Sequence, residues 1–132
     1  MLITTEDENS KNTRNITAQD TTAWHEADLA WLTKQLHHGP HIPTIVLTHH
    51  APSMACLEPD VHPTEPFAQL SCSELDGLFQ DPIVCWAYGH THFPLDCRAG
   101  TARLVTNPAG YPRSQFPSPF GRPYRPDLIL EL

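Results

Sequence analysis

Apolar positions follow two periods along this chain. Between residues 22 and 38, Trp24, Ala27 and Trp31 recur at the i, i+3, i+7 spacing of a helix, and Leu29, Leu32 and Leu36 repeat that spacing beside them. A stripe that wide predicts an amphipathic helix facing a core. Gly39-Pro40 ends it, because proline cannot continue a helix. Residues 44–48 (Thr-Ile-Val-Leu-Thr) and 83–88 (Ile-Val-Cys-Trp-Ala-Tyr) are short β-branched and aromatic runs, which predict buried strands, the first covered on both faces. Between them Ser71-Cys72-Ser73-Glu74 has the form of a capping box, with Leu75, Leu78 and Phe79 as the apolar face of a short helix after it. Residues 94–98 and 101–106 predict a hairpin turning at Ala99-Gly100. The alternation Asp-Leu-Ile-Leu-Glu-Leu over 127–132 predicts a final strand. Residues 1–21 are polar and aperiodic and are expected to be a flexible lead-in. The order helix, strand, helix, strand, hairpin, strand is that of an α/β layered architecture.

Composition sharpens this outline. The chain has 132 residues, enough for one modest domain. It holds 14 prolines, about twice the usual share. Four of them (Pro52, Pro59, Pro63, Pro66) fall in residues 51–70 and six in 107–126, which predicts two long loops. The formal charge is −7 without a basic cluster, which argues against sequence-independent nucleic-acid binding. No apolar run approaches the roughly 18 residues of a membrane span. No apolar stretch follows a basic start at the N-terminus, so no secretory signal is visible and an intracellular, cytoplasmic setting is expected. Cys56, Cys72, Cys85 and Cys97 form no Cys-x-x-Cys pair and are expected to be reduced, structural thiols. The sequon Asn15-Ile16-Thr17 is, in that setting, a chance match.

Histidine is the informative excess. There are nine, and both predicted buried strands run directly into them: Thr48-His49-His50 after the first, Gly89-His90-Thr91-His92 after the second. Ligands of open α/β sheets gather at the carboxyl ends of strands, and neutral imidazole is the commonest protein metal ligand. A tight turn after Gly89, a residue that permits positive φ or close packing, would aim His90 and His92 at two neighbouring ions. The other five read as bystanders. His37, His38 and His41 sit at a helix C-terminus, where partly cationic side chains suit the dipole. His25 and His62 have no evident partner.

Thr48-His49-His50-Ala51-Pro52-Ser53 and Gly89-His90-Thr91-His92 resemble the last two metal-binding motifs of the calcineurin-like metallophosphoesterases. The resemblance extends over residues 22–132, taking in the Trp31-Leu32 helix, Ser73-Glu74-Leu75-Asp76 and Asn107-Pro108-Ala109-Gly110-Tyr111. It implies an α/β fold, the C-terminal half of a two-sheet sandwich with flanking helices, beginning at residue 22. It also implies hydrolysis of phosphate esters by two divalent ions (Mn, Fe or Zn) that polarise a phosphate oxygen and supply the attacking hydroxide. His49 and His90 would hold one ion and His92 the other, with His50 beside them or facing substrate.

The family's earlier motifs, a D-x-H, a GDxxD and a GNH, are not found in order. The chain has no Gly-Asp and no Gly-Asn, and Asp60-Val61-His62 matches D-x-H only as a string, after His49 and inside a proline loop. Three neutral imidazoles would leave two dications about 4 Å apart with no anionic bridge between them. At most one ion is therefore expected in this chain alone, and the partner implied is a missing N-terminal half. No catalytic group is identifiable here. The alternative is a catalytically inactive metal-binding or interaction module. The loops at 51–70 and 107–126 would border the site, and Arg98, Arg103 and Arg113 are the cations that could meet a phosphate.

Overall fold

The structure is a computed structural model describing residues 2–7, 10–62, 64–110 and 124–132. In chain order the elements are β1 (Leu2–Asp7), β2 (Ser10–Asn15), α1 (Ala18–His38), β3 (Thr44–Leu47), α2 (Pro66–Ser71), β4 (Ile83–Ala87), β5 (Leu95–Ala99) and β6 (Ala102–Thr106). Single 3₁₀ turns lie at Met54–Cys56 and Asp76–Leu78. Two compact units divide the chain, Met1–His41 and Ile42–Leu132. Residues 21 and 22 both lie within α1.

In the first unit β1 and β2 form an antiparallel ribbon, pairing Leu2 with Asn15 through Asp7 with Ser10. Ile3, Thr4, Thr5 and Thr13 are β-branched, which favours pleated backbone even in a polar segment. The helix starts four residues earlier than its apolar stripe because Thr17 caps it. Asp20 N–H donates to Thr17 Oγ1 at 3.4 Å, and Thr17 N–H donates to Asp20 Oδ2 at 2.8 Å. This is a capping box with Asp in the usual Glu place. Arg14 grips the same carboxylate with two 2.6 Å hydrogen bonds. Those bonds, with Thr17's, hold the Asp20 carboxyl well below the ordinary range. The threonine of the sequon is thus a helix cap. The stripe predicted to face a core does not: α1 has no buried residue, and Trp24 and Trp31 are 45% and 63% exposed. Among the described residues the other element of its unit is a two-stranded ribbon.

The second unit is a four-stranded mixed sheet, order β3-β4-β6-β5. β3, β4 and β6 run parallel, and the β5–β6 hairpin is antiparallel. Val46, Trp86 and Leu104 pair across the three parallel strands and are buried. Phe79 meets Trp86 edge to face, ring centroids 5.8 Å apart. The hairpin turns at Gly100, where φ is +56° and a Cβ would collide with the Phe79 carbonyl oxygen.

The proline-rich stretch after β3 is pinned to this core. Ala51 N–H donates to Ser71 C=O and Ser73 N–H to Ala51 C=O. Ser53 Oγ donates to Asp76 at 2.7 Å, and Tyr88 OH to the Cys56 carbonyl at 3.3 Å.

Three sequence expectations fail here. The helix predicted after Ser71 is a single 3₁₀ turn, and the regular helix is α2 before it, started by Pro66 at its first position. Residues 127–132 are irregular; among the described residues no strand pairs with them, and the Glu131 carbonyl instead accepts from Arg103 at 2.8 Å. β3 is not covered on both faces. It is an edge strand, with Val46 buried but Ile45 and Leu47 53% and 75% exposed. Among the described residues the four cysteines are all free, and burial pushes the Cys56 thiol up to about 11. No described helix is long and apolar enough to cross a membrane.

Candidate metal centre

Because β3 and β4 are parallel neighbours, their carboxyl ends reach the same edge of the sheet. The ladder runs on past both strands: Thr48 N–H donates to Ala87 C=O at 3.1 Å and Gly89 N–H to His49 C=O at 3.0 Å. Those bonds bring His49 and His90, 41 positions apart in the chain, to one spot.

Two further hydrogen bonds fix the turn after β3. The Trp86 indole N–H donates to Thr48 Oγ1 at 3.0 Å, and the Thr48 hydroxyl donates to His50 C=O at 2.7 Å. A core tryptophan therefore sets the backbone that presents two histidines. The strand-end motifs do not name Trp86 or Thr48 as positioning groups. The available signal is that a buried indole N–H needs an acceptor.

After β4 the chain turns sharply, and Thr91 N–H donates to Gly89 C=O at 2.7 Å, closing a three-residue turn centred on His90. Of the two roles open to Gly89, it takes close packing, against His49, whose carbonyl oxygen would lie 3.6 Å from an added Cβ. Positive φ is taken up by His90 (φ +65°) and His92 (φ +55°). For residues with a Cβ this costs about 1–2 kcal/mol each. Such strain is concentrated where side chains must be aimed.

The result is a cluster of three imidazoles. His90 Nδ1 lies 3.1 Å from His49 Nε2. The rings of His49, His50 and His90 meet edge to face, with centroids 4.7–5.2 Å apart. One ring nitrogen from each lies within 4.8 Å of the other two. His49 and His50 are exposed and His90 is half-buried, so an ion has access from solvent. Burial, then the neighbouring His49 and His92, push the His90 pKa down, which favours the neutral form that ligates. His92, expected to hold a second ion, interacts electrostatically with His90 and stands outside the three-ring group. His50, expected only beside it, is a member. Among the described residues no carboxylate or thiol joins the group.

The remaining candidates lie elsewhere. His62 Nδ1 contacts Thr64 Oγ1 at 2.8 Å, so Asp60-Val61-His62 is a local turn. Arg103 is bound to both Asp96 oxygens at 2.7 and 2.8 Å. Arg98 is exposed on β5, and Arg113 lies outside the described residues. The Asn107 amide clasps the Arg125 backbone from both sides, at 2.7 and 3.1 Å.

The donor set fits one ion. It is three imidazoles that can converge, without the carboxylate a second ion would need as a bridge. Comparison with known proteins adds a relative but no family. The chain is 30% identical over 110 residues to an uncharacterized protein, L509, of Acanthamoeba polyphaga mimivirus. The match takes in 79% of this chain and 39% of the viral protein, so the chain spans about two fifths of that relative's length. No family model matches, and no solved structure matches.

Proposed function

We propose that the chain is the metal-binding C-terminal half of a calcineurin-like phosphoesterase, a hydrolase of phosphate esters that works with divalent ions. The observation that carries this reading is the 3.1 Å approach of His49 and His90 at the carboxyl ends of two adjacent parallel strands. Each histidine lies in the strand-end sequence that resembles the family's. The parallel β3-β4-β6 order, with a hairpin strand closing one side, is compatible with half of a two-sheet sandwich. The exposed apolar face and open edge of β3 are compatible with a neighbour there.

In this reading His49 and His90 hold one ion and His92 turns toward a second. His50 lines the substrate side. A bound ion supplies Lewis-acid polarisation of a phosphoryl oxygen. The protein's own part is to aim the imidazoles through the Gly89–His49 and Trp86–Thr48–His50 hydrogen bonds. A first half would supply the bridging carboxylate.

The test is hydrolysis of p-nitrophenyl phosphate and its diester with Mn(II), by this chain alone and with a first half carrying D-x-H, GDxxD and GNH. Turnover is expected only with the first half, and His90→Ala should abolish it. Absence of turnover with every first half tried, in protein that binds metal, would replace this reading with the inactive metal-binding module. That second reading is favoured by the lack of any carboxylate in the described cluster.

A further inference from the structure

Three imidazoles within reach of one another are more than the strand-end motifs require. In the motif-based assignment His50 is not a ligand and His92 holds a second ion. The structure sets the His50 ring beside His49 and His90 and leaves His92 outside that group. The turn after β3 is fixed by a buried indole through Thr48 to the His50 carbonyl, and that turn brings the His50 ring to 4.7 Å from His90 and 5.2 Å from His49. From this geometry we infer that the chain holds a single borderline transition-metal ion through His49, His50 and His90, and that this site discriminates against Mn(II) and Mg(II). The inference rests on the His49–His90 metal site of the proposed function and, for the chain without a first half, makes His50 a third ligand instead of a substrate-side group.

Two arguments support it. The first is distance. Bonds of about 2.0–2.1 Å at tetrahedral angles place two ligand nitrogens about 3.3 Å apart. His49 Nε2 and His90 Nδ1 stand at 3.1 Å, and the third nitrogen lies within 4.8 Å of both, a gap that rotation of an exposed ring can close. The second is chemistry. Imidazole suits Zn(II), Co(II), Ni(II) and Cu(II), whereas Mg(II) and Mn(II) favour oxygen ligands. Among the described residues this cluster includes no carboxylate.

The experiment uses the full chain, stripped of metal by a chelator and then given ZnSO4 or MnSO4 alone. Elemental analysis after dialysis and thermal melts are the readouts, since an ion bound only to the folded state raises the melting temperature. One zinc per chain is expected, with an upward shift for zinc and none for manganese at the same concentration. His50→Ala should weaken zinc binding by more than about a hundredfold, beyond the roughly 10–100-fold that loss of a residue merely supporting a ligand costs. His92→Ala and the double variant His37→Ala/His38→Ala should leave zinc binding unchanged. A Co(II)-loaded sample should lose its visible absorption in His50→Ala and keep it in His92→Ala.

Equal shifts for zinc and manganese, zinc binding that survives His50→Ala but not His92→Ala, or no bound zinc in the unsubstituted chain would each overturn the inference. The phosphoesterase reading stands or falls separately, on turnover with a first half. If His50→Ala fails to fold, the stoichiometry and metal preference of the unsubstituted chain still decide the question.

Discussion

Three tryptophans mark the difference between the two units. Trp86 in β4 is fully buried, stacked edge to face on Phe79, and spends its indole N–H on Thr48. Trp24 and Trp31 in α1 are exposed. All three sit in apolar patterns that read as core. The helix pattern marks a face that could be covered, whereas burial of Trp86 is enforced by strands on both sides of it. Sheet pairing brings its own neighbours, and a helix stripe does not.

The largest expected effect tests that contrast. Trp86→Ala should cost about 3–5 kcal/mol in urea unfolding, the range for emptying a packed aromatic site, and should weaken metal binding because the Thr48–His50 turn loses its anchor. Trp31→Ala should change stability by no more than about 0.5 kcal/mol, as surface substitutions do. Equal costs for the two would break the comparison.

Next in size is the helix cap. Thr17→Ala removes the hydroxyl that accepts from Asp20 N–H. It should lower the stability of α1 by about 1 kcal/mol, measured by hydrogen exchange in its first turn, with no change in β4 or β6. A matching loss of protection in the sheet would show that the two units unfold together.

The smallest effect is electrostatic. Hydrogen bonds from Arg103, and then its charge, hold the Asp96 carboxyl below its ordinary value. A depressed carboxyl pKa contributes stability that is fully present above the unfolded value of about 3.9 and is lost as pH falls through the folded one. Because the pair is exposed, Asp96→Asn should cost at most about 1 kcal/mol at pH 7. That difference should shrink as the pH is lowered through the folded carboxyl's depressed pKa in acid unfolding. A gap that persists there would assign Asp96 a role other than its charge.

Much of the second unit is legible in the chain. β3, β4 and the β5–β6 hairpin fall within a residue of the predicted runs, since short β-branched segments between breakers leave little choice. The missed elements were those whose local signal had a rival. Ser71-Cys72-Ser73-Glu74 has a capping form, but Cys72 is extended and bridges to Ala51, while Ser73 N–H is taken by the Ala51 carbonyl. The helix therefore forms upstream, behind Pro66. The alternation in 127–132 found no strand to pair with. The ribbon at β1 and β2 escaped notice because its residues are polar and its only cues are β-branching.

For the site, sequence order alone identified His49, His50, His90 and His92 as candidates and placed them at strand ends. It did so because a buried strand followed directly by histidine has few uses. Which of them meet was a tertiary outcome. Parallel pairing of β3 with β4 set His49 against His90, the Trp86–Thr48 hydrogen bond brought in His50, and the left-handed turn at His90 carried His92 outside the group. Those choices depend on contacts some forty residues apart in the chain, and no local pattern encodes them.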